Sequence, residues 1–267
     1  MVTGPLIPLT TKDYNVEVAR GLIPGATPVS KFGRNPDCDQ AASATAVQLG
    51  RSIWDGGIAG AVNWVPPTTA RTHALVSTDD EDGGAGTDTG ALTMRILGLD
   101  SSFAFQQEDL TLNGTTPVNT ASAYTMIYRM YVLTAGSTGR NLGDITATAA
   151  TDSTVTAKIS IAMNQTLMAV YQIPAGQTGY LISYYATLQK SGGAAKFADI
   201  FLMSKDDGGV WRVRHTVDVV SDANAHVQHF FNVPISFDAK TFVEIRANPS
   251  ADAQDISAGF ELLLMTP

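Results

Sequence analysis

Residues 210–219 read VWRVRHTVDV. From Trp211 onward apolar and polar side chains alternate, except that the polar His215 occupies one of the apolar positions. Successive side chains of a β-strand point to opposite faces of the sheet. The odd-numbered side chains up to Val219 therefore share one face, and the even-numbered ones up to Asp218 share the other. This pattern predicts a strand with one buried and one solvated face, as in antiparallel sheets.

The same alternating pattern recurs through most of the chain, interrupted by turns rich in Gly, Asn and Asp. It predicts strands at about 71–78, 91–99, 103–112, 121–133, 144–149, 153–161, 166–173, 178–189, 197–204, 210–220, 225–233, 241–247 and 257–265. Many short strands at this spacing are typical of sandwiches and barrels. We predict an all-β protein with two antiparallel β-sandwich (jelly-roll-like) domains, over residues 56–157 and 158–267.

Two turn sequences predict hairpins. Asp206-Asp207-Gly208-Gly209 separates two strand candidates, and glycines accept the positive φ that tight hairpin turns need. Asn113-Gly114 lies between two further alternating runs and is a strong local signal for a two-residue hairpin loop.

Residues 1–55 are predicted to form an extended N-terminal arm and linker. The density of Pro and Gly between Pro5 and Pro36 excludes a continuous helix and a central strand. The arm is too apolar for a solvated linker, so it needs a surface to cover, either on a neighbouring subunit or on the body of the chain. The candidate partner-binding residues are Leu6, Ile7, Tyr14, Val18, Arg20, Leu22, Ile23, Lys31, Phe32 and Arg34. Residues 38–50 are interpreted as a short helix or an irregular connection.

Charge and cysteine content exclude several classes of protein. The net charge of -8 argues against a nucleic-acid binder, which needs a basic surface to release counterions from phosphates. Residues 1–36 carry a small excess of positive charge, which suggests docking on an acidic neighbour. The single cysteine, Cys38, excludes an intrachain disulfide framework and fits a reducing cytoplasm. No apolar run is long enough to span a membrane, so we expect no membrane insertion.

Two groups of side chains are candidate metal ligands. The run Asp79-Asp80-Glu81-Asp82, followed by a glycine-rich segment, offers carboxylates to a hard cation but does not match the spacing of an EF-hand loop. A solvated loop is the alternative. His226 and His229 are three residues apart, and on a regular strand such side chains point to opposite faces, which disfavours a shared zinc ion. We predict no metal site and no cofactor.

The sequence contains no motif of nucleophilic or phosphate-binding enzymes, so we predict that the protein is not an enzyme. Tyr180, Tyr184, Tyr185 and Trp211 are candidates for a sugar-binding face, as aromatic side chains line many ligand sites. Packing in a core or an interface is the alternative role for these four side chains.

Several phrases of the sequence resemble a broad family of tailed-bacteriophage virion proteins. Near the N-terminus these are VARGLIPG (18–25), KFGRNPD (31–37) and WDGG (54–57). Further along the chain they are LGLD (97–100), LNGTTPV (112–118), AGSTG (135–139) and AVYQIPAGQTGY (169–180). Their order and spacing cover most of the chain.

The resemblance implies a structural component of a phage particle, assembled in the host bacterial cytoplasm and located in the virion, with no catalytic residues. It fits a capsid decoration or cement protein, and it also fits a neck, connector or tail-associated protein. The implied partners are capsid or head-tail connector proteins and further copies of the chain, which we expect to form a homotrimer that buries the weakly charged β surfaces. A glycan-binding adhesion module is a further alternative.

Overall fold

The computed structural model describes residues 14–40, 50–57, 63–189, 194–222 and 225–266, and within them the all-β prediction is confirmed. One helix, α1, spans Tyr14–Ala19, and a short 3-10 turn spans Asp55–Gly57.

The strands of the described residues are β1 (Ala26–Cys38), β2 (Arg51–Ser52), β3 (His73–Ser77), β4 (Ala91–Leu99), β5 (Phe105–Thr111), β6 (Val118–Asn119), β7 (Met126–Ala135), β8 (Ile145–Ala149), β9 (Thr154–Ile159), β10 (Val170–Gln172), β11 (Thr178–Leu188), β12 (Phe197–Lys205), β13 (Arg212–Val220), β14 (His226–Phe237), β15 (Phe242–Pro249) and β16 (Gln254–Met265).

Nine of these strands form what we call the base sandwich. One sheet has the order β1-β16-β11-β14, and the other has the order β10-β15-β12-β13 with β2 added on β15. Leaving β2 aside, the antiparallel pairs are nested along the chain: the first strand pairs with the eighth, the second with the seventh, the third with the sixth and the fourth with the fifth. Nested pairing of eight strands across two sheets is the connectivity of a jelly roll.

Strands β3 to β9 form a second body, which we call the inserted sandwich because it lies in the chain between β2 and β10. Its two sheets have the orders β6-β3-β8-β9 and β5-β4-β7. Its core contains side chains from both sheets, such as Leu75, Ile96, Met130 and Ile145. The boundaries 56–157 and 158–267 stay a prediction, but β1 and β2, which were expected in the arm, contribute strands to the base sandwich.

β1 is extended as predicted, but it pairs along its length with β16 of its own chain, from Ala26 opposite Met265 to Cys38 opposite Gln254. It is an edge strand, which explains why the ladder tolerates Pro28. Over residues 26–38 the predicted arm therefore covers the body of its own chain, the second of the two alternatives, and it does so as a strand of the base sandwich. The helix or connection predicted at 38–50 falls largely on residues 41–49, which lie outside the described part of the chain.

The Asn113-Gly114 hairpin prediction is wrong, although the turn itself is present. Gly114 has a φ of 57°, as a tight turn requires, and the Thr116 amide donates to the Asn113 carbonyl at 3.0 Å. The strands on either side do not pair with each other: β5 pairs with β4, whereas β6 pairs with β3 in the opposite sheet. The turn carries the chain between sheets. The hairpin predicted at Asp206–Gly209 does join the paired strands β12 and β13.

A third apolar cluster, which contains Trp54, Trp64 and Phe242, lies between the two sandwiches. The Trp64 indole donates to the Thr156 carbonyl in β9 at 2.9 Å, and its ring centroid lies 5.7 Å from that of Phe242 in β15. The Trp64 amide donates to the Ser52 hydroxyl in β2 at 2.8 Å. This tryptophan therefore bonds to both bodies and fixes their contact.

A buried ion pair lies under the same junction. Arg246 donates to Glu244 at 2.8 Å, and the Ser52 hydroxyl donates to the other carboxylate oxygen. The guanidinium lies 4.5 Å from the ring centroid of Trp211. Burial raises the pKa of Glu244, and the adjacent Arg246 and Ser52 oppose that shift by stabilising the carboxylate. Removing either partner would leave a buried charge without compensation.

We expect Gly33→Ala to destabilise the base sandwich strongly. A Cβ at this β1 position would overlap the backbone of Ile53 and of Ala169, which cannot move aside as a flexible side chain can. Overpacking of this kind costs about 3 kcal/mol. The measurement is the free energy of unfolding in urea. Gly86→Ala is the matched control, since a Cβ there meets nothing within 4 Å; equal stabilities of the two variants would contradict the close approach of β1.

Candidate interaction surface

The predicted partner-binding residues divide between two environments. Leu6 and Ile7 lie outside the described residues, and Tyr14 is the first residue of α1. In and after α1, Val18 is buried, Ile23 is half-buried, and Arg20 and Leu22 are exposed. Val18 packs over the outer face of the β1–β16 pair, where it lines a groove.

The other three predicted residues contact their own chain. Lys31 is only 2% exposed, and its ammonium donates to the Tyr128 carbonyl in β7 of the inserted sandwich. The Phe32 ring lies 5.0 Å from the Arg129 guanidinium. Arg34 donates both to Oδ1 of Asp255, at 2.9 Å, and to Oδ2. Lys31 is therefore withdrawn from any surface that a partner protein could reach.

The outer face of the sheet β1-β16-β11-β14 contains an apolar patch. On β11, Leu181 points inward and is buried, whereas Tyr180 and Ile182 are 36% and 38% exposed. Phe230 on the neighbouring β14 lies opposite Ser183 and is 62% exposed. We call this the outer apolar surface; it comprises Val18, Pro28, Tyr180, Ile182, Phe230 and Leu263.

A groove of about 310 Å³ runs through this surface, between α1 and β14. Its lining contains a single charged side chain, Glu261. Exposure of the apolar side chains to water is unfavourable. Contiguous apolar patches rimmed by polar residues mark interaction sites. The groove is therefore suited to an apolar protein surface.

β14 continues the apolar surface to the edge of the sheet. Its ladder with β11 is interrupted between Phe230 and Ile235, where four β14 residues lie opposite Ile182 alone. Val233 in this bulge is 82% exposed. Bulges at sheet edges are one means of blocking indiscriminate pairing with other strands, so contact through side chains is favoured over strand addition.

An aromatic cluster fills the mouth of the base sandwich, between β13 and β14. The rings of His215 and His229 stack with their centroids 4.3 Å apart. The Tyr184 hydroxyl lies 2.7 Å from Nδ1 of His215, and the Phe231 ring contacts all three. Burial, and then the neighbouring His229, lower the pKa of His215. This pair was not predicted from the sequence. The signal was present, because His215 and His229 both occupy inward-facing positions of the alternating pattern in two successive strands.

The predicted separation of His226 and His229 agrees with the structure. His226 is exposed and lies beside Tyr185 on the outer face, whereas His229 points inward. Across residues 14–40, 50–57, 63–189, 194–222 and 225–266, no group of three His, Cys, Asp or Glu side chains is placed to hold a metal ion.

The acidic segment 79–88 is a hydrogen-bonded turn. Asp82 is buried and accepts bonds from the Ser77 hydroxyl and from the amides of Ala91, Leu142 and Gly143. Carboxylates nearby likewise accept from amides of the same segment. The Asp82 oxygens are therefore used to join strands of the two sheets, which leaves them poorly available to a cation.

The aromatic side chains considered for sugar binding do not share one face. Tyr184 is buried in the mouth cluster, and Trp211 lies on the other sheet beneath Arg246. Cys38 is also buried, and burial raises the pKa of its thiol to about 12, which makes it a poor nucleophile. In the part of the chain that the structure describes, no helix is long and apolar enough to cross a membrane.

No protein-family model and no curated protein matches the chain. Among solved structures it is similar to the crystal structure of the infectious bursal disease virus VP2 subviral particle, with 13% identity, coverage of 90% of this chain and 72% of that chain, and a TM-score of 0.20. For the infectious bursal disease virus Gx strain the values are 12%, 89%, 70% and 0.18. TM-scores this low do not indicate a shared fold, so neither likeness bears on function.

The stacked histidines predict an acid-sensitive mouth. A histidine whose pKa is lowered by folding binds fewer protons in the folded than in the unfolded state, so stability falls as the pH drops below the ordinary histidine pKa of about 6.5. Melting temperatures measured between pH 7.5 and 5 should therefore decrease less in His229→Gln than in the wild type. His226→Gln, on the exposed outer face, should keep the wild-type dependence; a His229→Gln protein that does the same would contradict the coupling.

Proposed function

We propose that this chain is a structural subunit of a virus particle, which acts through protein–protein contacts and not through catalysis. The observation that carries the proposal is the outer apolar surface, since Phe230 and Ile182 are exposed on the outer face of the sheet, at the bulge in the β11–β14 ladder. Exposure of these apolar side chains to water is unfavourable, and their burial against a partner stabilises the complex.

The partner that fits this surface best is a further copy of the chain. One face of a sheet with four strands of this length covers roughly 700 Å², close to the area of about 800 Å² that each partner contributes to a standard interface. The groove lining is almost free of charge, so no particular acidic or basic partner is selected. In a closed threefold ring each copy contacts its two neighbours through two different patches, and we propose that the outer apolar surface is one of these patches in a homotrimer.

Within virus particles, we propose the surface of a tailed-phage capsid, where the chain would act as a decoration or cement protein. The phrases that resemble phage virion proteins support this assignment. The architecture is compatible with it, because the base sandwich carries both α1 and the outer apolar surface, whereas the inserted sandwich lies on the other side of the Trp64 junction. The neck, connector or tail is the alternative location, and assembly would take place in the host cytoplasm.

The outer apolar surface is tested by Phe230→Asp. We expect the wild type to have a mass near three times the 28.2 kDa of one chain in multi-angle light scattering, and the variant to have the mass of one chain, because a carboxylate cannot be desolvated in an apolar contact. Val210→Asp is the control, since Val210 is exposed in the distant β12–β13 turn. An oligomer that survives Phe230→Asp would contradict this interface.

Attachment to the particle is tested by deleting residues 1–13 only, since deletion of residues 1–36 would remove α1 and most of β1 and unfold the base sandwich. Phage capsids that lack the protein should bind the wild-type chain in co-sedimentation and should not bind the shortened chain, whose oligomer mass should be unchanged. Electron microscopy of the decorated particle should place the chain on the capsid surface. Density confined to the neck or tail would favour the alternative location.

A further inference from the structure

A cavity of about 240 Å³ lies where β1 of the base sandwich meets β7 of the inserted sandwich. Its lining includes Pro28, Lys31, Phe105, Tyr128, Arg129 and Tyr171. The lining combines two cationic side chains with aromatic and aliphatic walls, and the described residues contribute no carboxylate to it. We call it the junction cavity.

Lys31 lies in this cavity, and no carboxylate of the described residues pairs with it. Its side chain is 2% exposed, and the bond to the Tyr128 carbonyl uses one of its three donors. Burial lowers its pKa well below the ordinary value, and the neighbouring Arg129 lowers it further. A buried ammonium is costly unless an anion compensates its charge.

Arg129 is the second cation, and its partners are neutral. Its guanidinium donates to the Gln165 side-chain oxygen at 3.0 Å and to the Ser30 carbonyl at 3.1 Å. Two positive groups thus lie side by side in a site of low polarity, which is unfavourable in the absence of an anion.

Tyr171 is a further polar residue in the lining of the cavity. Its side chain is 1% exposed, and its hydroxyl is buried with no hydrogen-bond partner. Buried hydroxyls are nearly always paired, because an unpaired one loses its bonds to water without replacement. An acceptor atom in the cavity would satisfy it.

We propose that the junction cavity binds a small organic carboxylate whose body is apolar. Its carboxylate would accept hydrogen bonds from Lys31 and Tyr171 and neutralise the charge shared with Arg129. The remaining walls, which include Pro28 and Phe105, suit an aromatic or aliphatic body. Phosphate fits less well, since it is strongly hydrated and offers nothing to these walls. The volume is below that of sites for drug-sized ligands, so the carboxylate is small. This inference does not depend on the proposed function.

Isothermal titration calorimetry at constant ionic strength tests the ligand class on the full chain. Benzoate is the probe, and benzamide has the same body without the charge. We expect saturable binding of benzoate, at least about tenfold weaker binding of acetate, and no binding of benzamide or inorganic phosphate. Equal binding of benzamide, tighter binding of phosphate, or no binding of benzoate would each overturn the proposal.

Variants assign the binding to these residues. Lys31→Met removes the uncompensated charge, so it should keep or raise the melting temperature without ligand and weaken benzoate binding at least about tenfold. Tyr171→Phe should likewise keep the melting temperature and weaken binding several-fold, which separates a ligand contact from a structural one. Lys196→Met, a lysine outside the cavity, should change neither quantity. Wild-type affinity in Tyr171→Phe and in Lys31→Met would overturn the assignment.

Discussion

The antiparallel pair of β1 and β16 is the constraint on which the rest of the base sandwich depends. It joins residues more than 200 positions apart, from Ala26 with Met265 to Cys38 with Gln254, and every other nested pair lies within the stretch that it closes. The entropic cost of closing so long a loop grows only with the logarithm of its length. The long loop therefore adds little to the equilibrium free-energy cost of folding, but contacts so distant in sequence form slowly. The pairs within the inserted sandwich have much shorter separations.

The junction between the sandwiches combines apolar packing with buried polar groups that are largely satisfied. The Glu244–Arg246 pair, Ser52 and the Trp64 indole and amide form one hydrogen-bonded set across β2, β15 and β9. A set of this kind adds little net stability compared with an apolar core, but it penalises every arrangement in which one member loses its partner. The cavity beside this junction is the opposite case, because no carboxylate of the described residues compensates the charge of Lys31 there.

Local alternation was enough to predict most strands. The alternation of apolar and polar side chains is visible within each segment, so the strand with which the segment pairs need not be known. β1 was missed as a strand for the opposite reason: its prolines indicate irregular chain, and its partner lies at the far end of the sequence. The faces of β13 were predicted less well. A register shift opposite Leu202 and Met203 leaves Val213 exposed, although simple alternation places it on the same face as Val219.

The candidate surface was predictable only in part. Val18 and Leu22 were identified from the apolar character of the N-terminal segment, and Val18 does pack at the groove. Phe230 and Ile182 were not, because a strand that is apolar on both faces does not reveal from sequence which neighbour it meets. Lys31 was assigned to a partner, since a lysine in a segment thought to be extended is expected to be solvated. Only the packing of β1 against β7 shows that it is buried.

Two chain segments cross between the sandwiches, and they are hydrogen-bonded to each other: the Asp55 amide donates to the Leu167 carbonyl at 2.9 Å, and the Ala169 amide donates to the Ile53 carbonyl at 2.9 Å. A single linker permits one body to swivel on the other, whereas two bonded crossings resist both twist and bending. A torque applied to the outer loops of the inserted sandwich would thus be transmitted to the base sandwich. The two sandwiches would then respond to force as one rigid unit and not as two flexibly linked domains.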